Sequence, residues 1–599
     1  MKKLFFLSIA IMISMSAAAE WKPVGDKIKT QWTSKVDPSN VLPEYPRPMM
    51  ERAKWMNLNG EWSYAIVDKG APYMKPDGKI LVPFAVESSL SGVGKSVSPS
   101  QELYYAREFT IPSQWKEQRV LLNFGAVDWR ADVWVNEVKV GEHTGGYTPF
   151  SFDITSAISR KGVNNIVVKV WDGTDSGFQP RGKQVSKPGG IWYTPVTGIW
   201  QTVWLEPTSL SYITDVRSTP DIDNNILKVD VLTAAKESVV SVVVKDGDKI
   251  VASGRSLAGV TTEIKMPKDA KLWSPESPFL YDMEVSIASD GVVTDKVESY
   301  AAMRKFSTAR DASGIVRLQL NNKNLFQFGP LDQGWWPDGL YTAPCDEALK
   351  YDIIKTKDFG FNMIRKHVKV EPARWYTHCD QLGVIVWQDM PNGDQGGQWI
   401  MDRYYDRPEN PRRAESIANY KKEWKEIMDY LYSHPSIGVW VPFNEGWGQF
   451  NTTEIAAWTK AYDPTRLVNP ASGGNHFSCG DMLDIHHYPN PAITLYEGAR
   501  ATVLGEYGGI GLVFKDNVWE KGRNWGYVQY ENSKDVTDKY IEYTEMLKNL
   551  IRSGISGAVY TQTTDVEIEV NGFMTYDRKI IKMDEQRIKK ANAAVCGLL

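Results

Sequence analysis

Two glutamates stand where an apolar run gives way to a glycine and aromatic loop: Glu445 in Ile437-Gly-Val-Trp-Val-Pro-Phe-Asn-Glu445-Gly-Trp-Gly, and Glu506 in Ala501-Thr-Val-Leu-Gly-Glu506-Tyr-Gly-Gly. A buried strand that ends in a carboxylate before a glycine-rich turn delivers that acid to a cleft. A pair of such acids is the equipment for cleaving a glycosidic bond, one carboxylate attacking the anomeric carbon and the other protonating the departing oxygen. For a retaining displacement the two carboxyl groups should lie about 5 to 5.5 Å apart.

Such a pair needs a frame, and the frame is written after Phe306, where apolar β runs alternate with amphipathic helices. Eight strand candidates can be counted: Leu325 to Phe328, Asn362 to Arg365, Val384 to Trp387, Ile437 to Phe443, Leu467 to Pro470, Leu483 to His486, Thr502 to Gly505 and Gly557 to Thr561. Eight parallel strands close a (β/α)₈ barrel, whose active site sits at the C-terminal strand ends. Those ends are polar here: Arg365-Lys-His367, Gln388-Asp389, Asn444-Glu445, His486-His487-Tyr488, Glu506-Tyr507 and Gln562. Helical periodicity is plain at Ile417, Tyr420, Trp424, Ile427 and Leu431, and again at Val536, Tyr540, Tyr543, Leu547 and Leu550. His486 and His487 do not read as a metal site, because adjacent strand residues point to opposite sides.

Upstream lie two all-β units. From Trp55 to about Glu206 short alternating runs such as Arg119 to Phe124, Ala131 to Val135 and Asn165 to Trp171 predict a β-sandwich. From Pro207 to Arg304, Leu227 to Val231, Val239 to Lys245 and Phe279 to Ile287 predict an immunoglobulin-like sandwich. The domain series is thus 20–206, 207–304 and 305–599. At the N-terminus, Lys2 and Lys3, the apolar run Leu4 to Met15 and Ala17-Ala18-Ala19 read as a signal peptide over residues 1–19, which predicts a periplasmic or secreted protein. That run is short of the roughly 20 apolar residues of a membrane span.

Composition narrows the partners. Among 599 residues, 69 basic side chains face 73 acidic ones, so no footprint for nucleic acid or anionic lipid is visible. The four cysteines, Cys345, Cys379, Cys479 and Cys596, have neither zinc spacing nor a disulfide framework. The 23 tryptophans exceed what packing alone needs; most belong in cores, and the remainder offer faces for stacking on sugar rings.

The chain resembles glycoside hydrolase family 2, the β-galactosidases, β-glucuronidases and β-mannosidases, over nearly all of its mature length. The family's domain series of jelly-roll β-sandwich, immunoglobulin-like β-sandwich and (β/α)₈ barrel matches, so the resemblance implies that the first sandwich is a jelly roll. The likeness is carried in order by Trp55 to Trp62, Gly189 to Leu205, Asn362-Met-Ile-Arg-Lys-His367, Phe443-Asn-Glu-Gly446 and Leu504-Gly-Glu506. The resemblance implies that Glu445 is the acid/base and Glu506 the nucleophile, that Asn444 binds the sugar 2-hydroxyl, that Arg365 and Tyr488 hold the nucleophile, and that His367 contacts the sugar. Asp389, His487, Trp447 and Gln562 complete the expected substrate-binding set.

Two departures bear on the sugar. Thr561 stands where many relatives end the eighth strand in a tryptophan that floors the sugar subsite, so that floor is expected from elsewhere, with Trp335, Trp336, Trp387, Trp447 and Trp525 as candidates. Glu569-Val-Asn571 stands where glucuronidases carry an Asn-x-Lys element, so a uronic acid should meet repulsion and a neutral sugar is favoured. The expectation is therefore an exo-acting retaining β-glycosidase, foremost a β-galactosidase, on an oligosaccharide or polysaccharide. An arabinopyranosidase, β-mannosidase or β-glucuronidase, or a silent carbohydrate-binding protein, are the alternatives. The chemistry needs no cofactor; some β-galactosidases of the family use divalent cations, but no ligand set for one can be read. Assembly into a homo-oligomer is compatible with the sequence. In the first unit, Arg181 and Gln184 are candidate substrate contacts on a loop that in relatives reaches toward the barrel mouth.

Overall fold

The computed structural model describes residues 21–234 and 237–599; the leader expected at 1–19 lies outside the described residues. The first unit is a sandwich of a six-stranded and a four-stranded antiparallel sheet. Strand Val163–Trp171 shows why: its residues alternate between buried and solvent-facing, so one face covers the core and the other stays wet. Its core includes Trp62, Leu103, Val133 and Val168. The second unit packs a three-stranded sheet on a four-stranded one, seven strands in all, around Val229, Val242, Met283 and Val285.

The remaining chain forms an eight-stranded, all-parallel sheet. Its strands are β1 (Gln327–Asp332), β2 (Met363–Lys366), β3 (Ile385–Asp389), β4 (Ile437–Val441), β5 (Leu467–Val468), β6 (Met482–His487), β7 (Ala501–Gly508) and β8 (Ile555–Thr561). Hydrogen-bonded order runs β5-β4-β3-β2-β1-β8-β7-β6. The ends of that order, β5 and β6, meet through the Asp481 N–H on the Val468 carbonyl (2.8 Å), so the sheet curls almost shut. All eight strands fall at the expected places, with β1 displaced toward the C-terminus. Gly329-Pro330 reads as a turn in sequence yet lies within β1, because the strand passes so close to β2 that a Cβ on Gly329 would come 1.8 Å from the Met363 carbonyl oxygen.

Helices α1 (Asp346–Asp358), α2 (Ala373–Leu382), α3 (Ala414–Leu431), α4 (Thr452–Tyr462), α5 (Ser533–Ser553) and α6 (Glu585–Cys596) form the outer shell. Among the described residues, irregular chain takes the place of helices after β5 and β6. On α3 the residues Tyr420, Trp424, Ile427, Met428 and Leu431 are buried, and each large apolar side chain so placed contributes roughly 1.5 to 3 kcal/mol. Helix α5 starts on Asn532, whose side chain accepts from the Asp535 N–H, and stops at Gly554, with φ at 130°. Below the barrel a hairpin, Phe306–Arg310 and Val316–Leu320, seals the bottom by adding Phe306 and Leu318 to the cluster that holds Met363, Trp387, Val439 and Val503. Arg317 on that hairpin donates to the carbonyls of Ile555 (2.6 Å) and Ile551 (3.1 Å), pinning the turn into β8.

Most of the tryptophans serve packing: Trp32, Trp62, Trp200, Trp273, Trp335, Trp375, Trp387, Trp424 and Trp440 are fully buried. The contact of β1 with β2 gives a direct test of barrel closure. Gly329→Ala must push the strands apart, a cost of about 1 to 3 kcal/mol for overpacking. The expected result is a thermal midpoint lowered by roughly 2 to 10 °C, while Gly396→Ala, which meets open space, leaves it unchanged.

Candidate active site

At the C-terminal rim of the barrel a recess of about 300 Å³, counted to its open mouth, is lined by Lys183, Ile191, Leu331, Gln333, His367, Asn444, Glu445, Tyr488, Glu506, Tyr527, Thr561 and Glu569. The strand ends supply most of these because each strand's last residues emerge from the apolar interior together. Glu445 sits just past β4 with φ at +56°, in the left-handed region that non-glycine residues seldom occupy. Holding it there costs of order 1 to 3 kcal/mol. The bond from the Glu445 N–H to the Ser472 carbonyl (2.8 Å) fixes that backbone.

Glu506 is buried at the end of β7 and accepts from Tyr488 Oη at 2.7 Å and from Arg365 Nη1 at 3.2 Å. Arg365, fully buried on β2, spends every N–H it has: Nε and Nη2 on the two oxygens of Asp389 (3.1 and 2.9 Å), Nη2 also on Asn444 Oδ1 (2.8 Å), and Nη1 on Glu506 and the Gly505 carbonyl (3.1 Å). Burial works against that charge, but Asp389 and Glu506 outweigh it and raise the guanidinium pKa further.

The two glutamates are joined by a third residue. His486 Nδ1 lies 3.2 Å from Glu445 Oε1 and 3.4 Å from Glu506 Oε2, and its Nε2 is 2.8 Å from Ser472 Oγ, which donates to Asp484 (2.6 Å). Burial disfavours the imidazolium, yet Glu506 and the bond to Glu445 prevail and its pKa is raised above 6.5. Glu445 responds in the opposite sense. Burial raises its pKa, but the His486 proton, with smaller help from Lys183 and from Trp447 Nε1 (3.2 Å), leaves it lowered. The pair thus carries one shared proton, resting on the imidazole. One ligand atom each from Glu445, His486 and Glu506 falls within 4.8 Å of the other two, close enough to share a divalent cation; the His486 proton satisfies the same atoms.

The expected residues divide into four sets. Glu445, Glu506, Asn444, His367 and Tyr488 line the recess. Arg365 and Asp389 stand behind it: Asp389 is fully buried and accepts from Arg365 and from His367 Nδ1 (3.0 Å), so it orders its neighbours rather than facing the cavity. Burial, then Lys183, drives the His367 pKa well below its ordinary value, leaving a neutral ring. Trp447 stands at the rim, edge-on to Trp192 at 5.1 Å. His487 and Gln562 do not line the recess. His487 Nδ1 turns to the Asn490 carbonyl (2.7 Å), on the opposite side of β6 from His486. Gln562 is buried between Gln333 (2.8 Å) and Asn571 (2.7 Å).

Other stacking candidates are accounted for similarly. Trp335, Trp336 and Trp387 are buried in cores, and Trp525 donates to the Gly190 carbonyl beside Tyr527. The aromatic face at the recess is Tyr527, stacked on Tyr488 at 3.7 Å, while Thr561 accepts or donates to Tyr488 Oη at 2.7 Å. Arg181 lies over Trp192 (5.3 Å) and Gln184 is sequestered by Tyr147, Tyr341 and Asp128. It is Lys183, between them, that reaches the recess. His486, Lys183, Gln333 and Tyr527 were outside the expected set; only His486, at a strand end, carried a signal in sequence.

Comparison with known proteins agrees with this architecture. Residues 83–205 match the sugar binding domain of glycosyl hydrolases family 2, residues 211–304 the middle domain of that family, and residues 343–491 its TIM barrel domain. A β-glucuronidase of Bacteroides fragilis is 25% identical over 536 residues, covering 82% of this chain and 74% of the relative. A β-galactosidase of Thermoanaerobacter pseudethanolicus is 27% identical over 359 residues, 57% of this chain. The chain spans less than half the length of that second relative, 44%. Among solved structures, the β-D-glucuronidase of Dictyoglomus thermophilum superposes with a TM-score of 0.71 at 18% identity, covering 93% of this chain and 99% of the other. A β-galacturonidase from Eisenbergiella tayi gives 0.69 at 19% identity, covering 92% and 99%. Three family segments in their expected order, on a double sandwich followed by a barrel, place this chain in glycoside hydrolase family 2.

Proposed function

We propose that the chain is an exo-acting retaining β-glycosidase that releases one sugar from the non-reducing end of a glycan. The observation that carries this reading is the pair Glu445 and Glu506, with one oxygen of each within 4.8 Å of the other. That separation suits double displacement, at about 5 to 5.5 Å between carboxyl groups, rather than inversion, which needs about 6.5 to 9.5 Å to admit a water.

In this reading Glu506 is the nucleophile. Arg365 and Tyr488 donate to its two oxygens and orient it. Attack on the anomeric carbon gives a glycosyl ester while Glu445 protonates the leaving oxygen. The proton comes from the pair it forms with His486: as the leaving oxygen gains charge, the proton passes from Nδ1 through the Glu445 carboxyl. Deprotonated, Glu445 then activates the water that hydrolyses the ester. Asn444, fixed by Arg365, offers its amide to the 2-hydroxyl, a contact that strengthens in the transition state. Exo action is supported by the family resemblance and by the domain series shared with exo-acting relatives. The lysine-led apolar N-terminus supports export to the periplasm or the medium.

For the sugar, we infer a β-glucuronide or a closely related uronide, supported by the β-glucuronidase names among the relatives and structural neighbours. The charge argument for a neutral sugar weighed barrel residues alone, and Lys183 lines the same recess as Glu569. A β-galactoside is the second reading, supported by relatives of that name and by the carboxylate of Glu569.

Two experiments test the chemistry. Glu506→Ala should lose at least about 10³-fold in kcat and regain turnover with azide as the α-glycosyl azide, while Glu445→Ala is rescued to the β-azide; products of opposite configuration would reverse the roles. The second reads the shared proton. Because the His486 pKa is raised above 6.5, the proton is held at pH 6.5 and lost only above it. The alkaline limb of kcat/KM should therefore begin above pH 6.5 and move in His486→Gln; a limb unmoved by that substitution would remove His486 from the proton path.

A further inference from the structure

Lys183 is carried into the recess by a loop of the first sandwich that is built to hold position. The Tyr193 N–H donates to the Lys183 carbonyl (2.9 Å) and the Val185 N–H to the Tyr193 carbonyl (3.0 Å). Gly182 N–H donates to Tyr147 Oη (3.0 Å), and a Cβ on Gly182 would come 2.4 Å from the carbonyl of Val368, the residue after His367. Only a glycine lets the loop seat so close to the barrel rim.

Its ammonium is unspent. Lys183 is 7% exposed, and among the described residues it makes no hydrogen bond or ion pair. The carboxylates of the recess are committed elsewhere: Glu506 to Arg365 and Tyr488, Glu445 to His486 and Trp447, and Glu569 to Tyr193 Oη (2.6 Å) and Asn571 (3.1 Å). A second lining residue is also unsatisfied: Gln333 Oε1 is buried without a partner. Glu445 and Glu569 answer this charge only across the recess and no side chain bonds it, so the ammonium keeps its donors for an anionic ligand.

We propose that Lys183 is the anchor for the carboxylate of a terminal uronosyl residue, a specificity contact supplied by the sandwich rather than by the barrel, with Gln333 accepting from a neighbouring hydroxyl. This rests on the β-glycosidase reading. It places the cation that distinguishes an acidic from a neutral sugar about 140 residues before the barrel begins.

The test compares nitrophenyl β-D-glucuronide with the β-D-glucoside, and β-D-galacturonide with the β-D-galactoside, pairs that differ only at C6. In Lys183→Met and Lys183→Gln the uronide-to-neutral ratio of kcat/KM should fall about 100-fold, chiefly through KM, whereas Lys183→Arg keeps it within about tenfold. A ratio unchanged in both neutral variants, or a wild-type enzyme that hydrolyses only the neutral member of each pair, overturns the assignment while leaving the glycosidase reading intact. Calorimetric binding of D-glucuronate and D-galacturonate against D-glucose and D-galactose is the independent arm. If the wild type hydrolyses none of the four, the glycosidase reading fails for these sugars; Lys183-dependent binding of either uronate then upholds the anion subsite, and no such binding overturns it.

Discussion

The Arg365 guanidinium is the constraint on which the rim of the barrel depends. It is a charge sealed from water, and such a charge is tolerable only when each of its donors is met. The five acceptors come from β3, from the start of the loop after β4 and from β7, so one side chain on β2 sets the relative height of four strand ends. A slip of any of these strands by one residue would turn a polar end inward and leave the cation unpaired, at about 3 to 5 kcal/mol. The same bonds that keep the barrel in register hold Asn444 and Glu506 toward one point.

Charge balance in the recess follows from that arrangement. Two carboxylates within 4.8 Å repel strongly in a buried site. Arg365 offsets one of them, and the His486 proton lies between both. Under the proposed double displacement this coupling drives the reaction forward. Ester formation removes the Glu506 charge, and with it the repulsion that favours a proton near Glu445. With the shared proton given to the leaving oxygen, Glu445 is left as a carboxylate able to take a proton from water. The switch from acid to base thus needs no movement of the protein, only the loss and return of one neighbouring charge.

Much of this was legible in the sequence, for a physical reason. Strands buried on both faces must be apolar throughout, so Ile437–Val441 and Ala501–Gly508 announce themselves, and the first polar residue after each is forced to the rim. What failed to show was tertiary proximity. His486 and His487 look equivalent in sequence, but the pleat sends one to the carboxylates and the other to the Asn490 carbonyl. Gln562 ends a strand as Glu506 does, yet the chain beyond β8 folds back and buries it against Asn571. Neither position betrays its direction without the partner strand. The stretches after β5 and β6 carry no helical periodicity and form no helix; here the sequence was informative by its silence.

The sandwich loop marks the limit of reasoning from spacing. Arg181 and Gln184 are the conspicuous polar residues of that loop, and each is taken up by its own surroundings, Arg181 by Trp192 and Gln184 by Tyr147, Tyr341 and Asp128. With both of them satisfied, Lys183, at the bend between them, is the residue of the loop that faces the barrel. The grip extends beyond this loop: Trp129 Nε1 donates to Glu423 on α3 (2.7 Å), and Thr342 Oγ1 donates to the Trp200 carbonyl (2.6 Å). With the sandwich fixed to the helical shell on one side and to the rim on the other, the loop cannot swing clear as a lid would. The recess is therefore walled by two domains, Lys183 and Ile191 coming from the sandwich and the catalytic strand ends from the barrel.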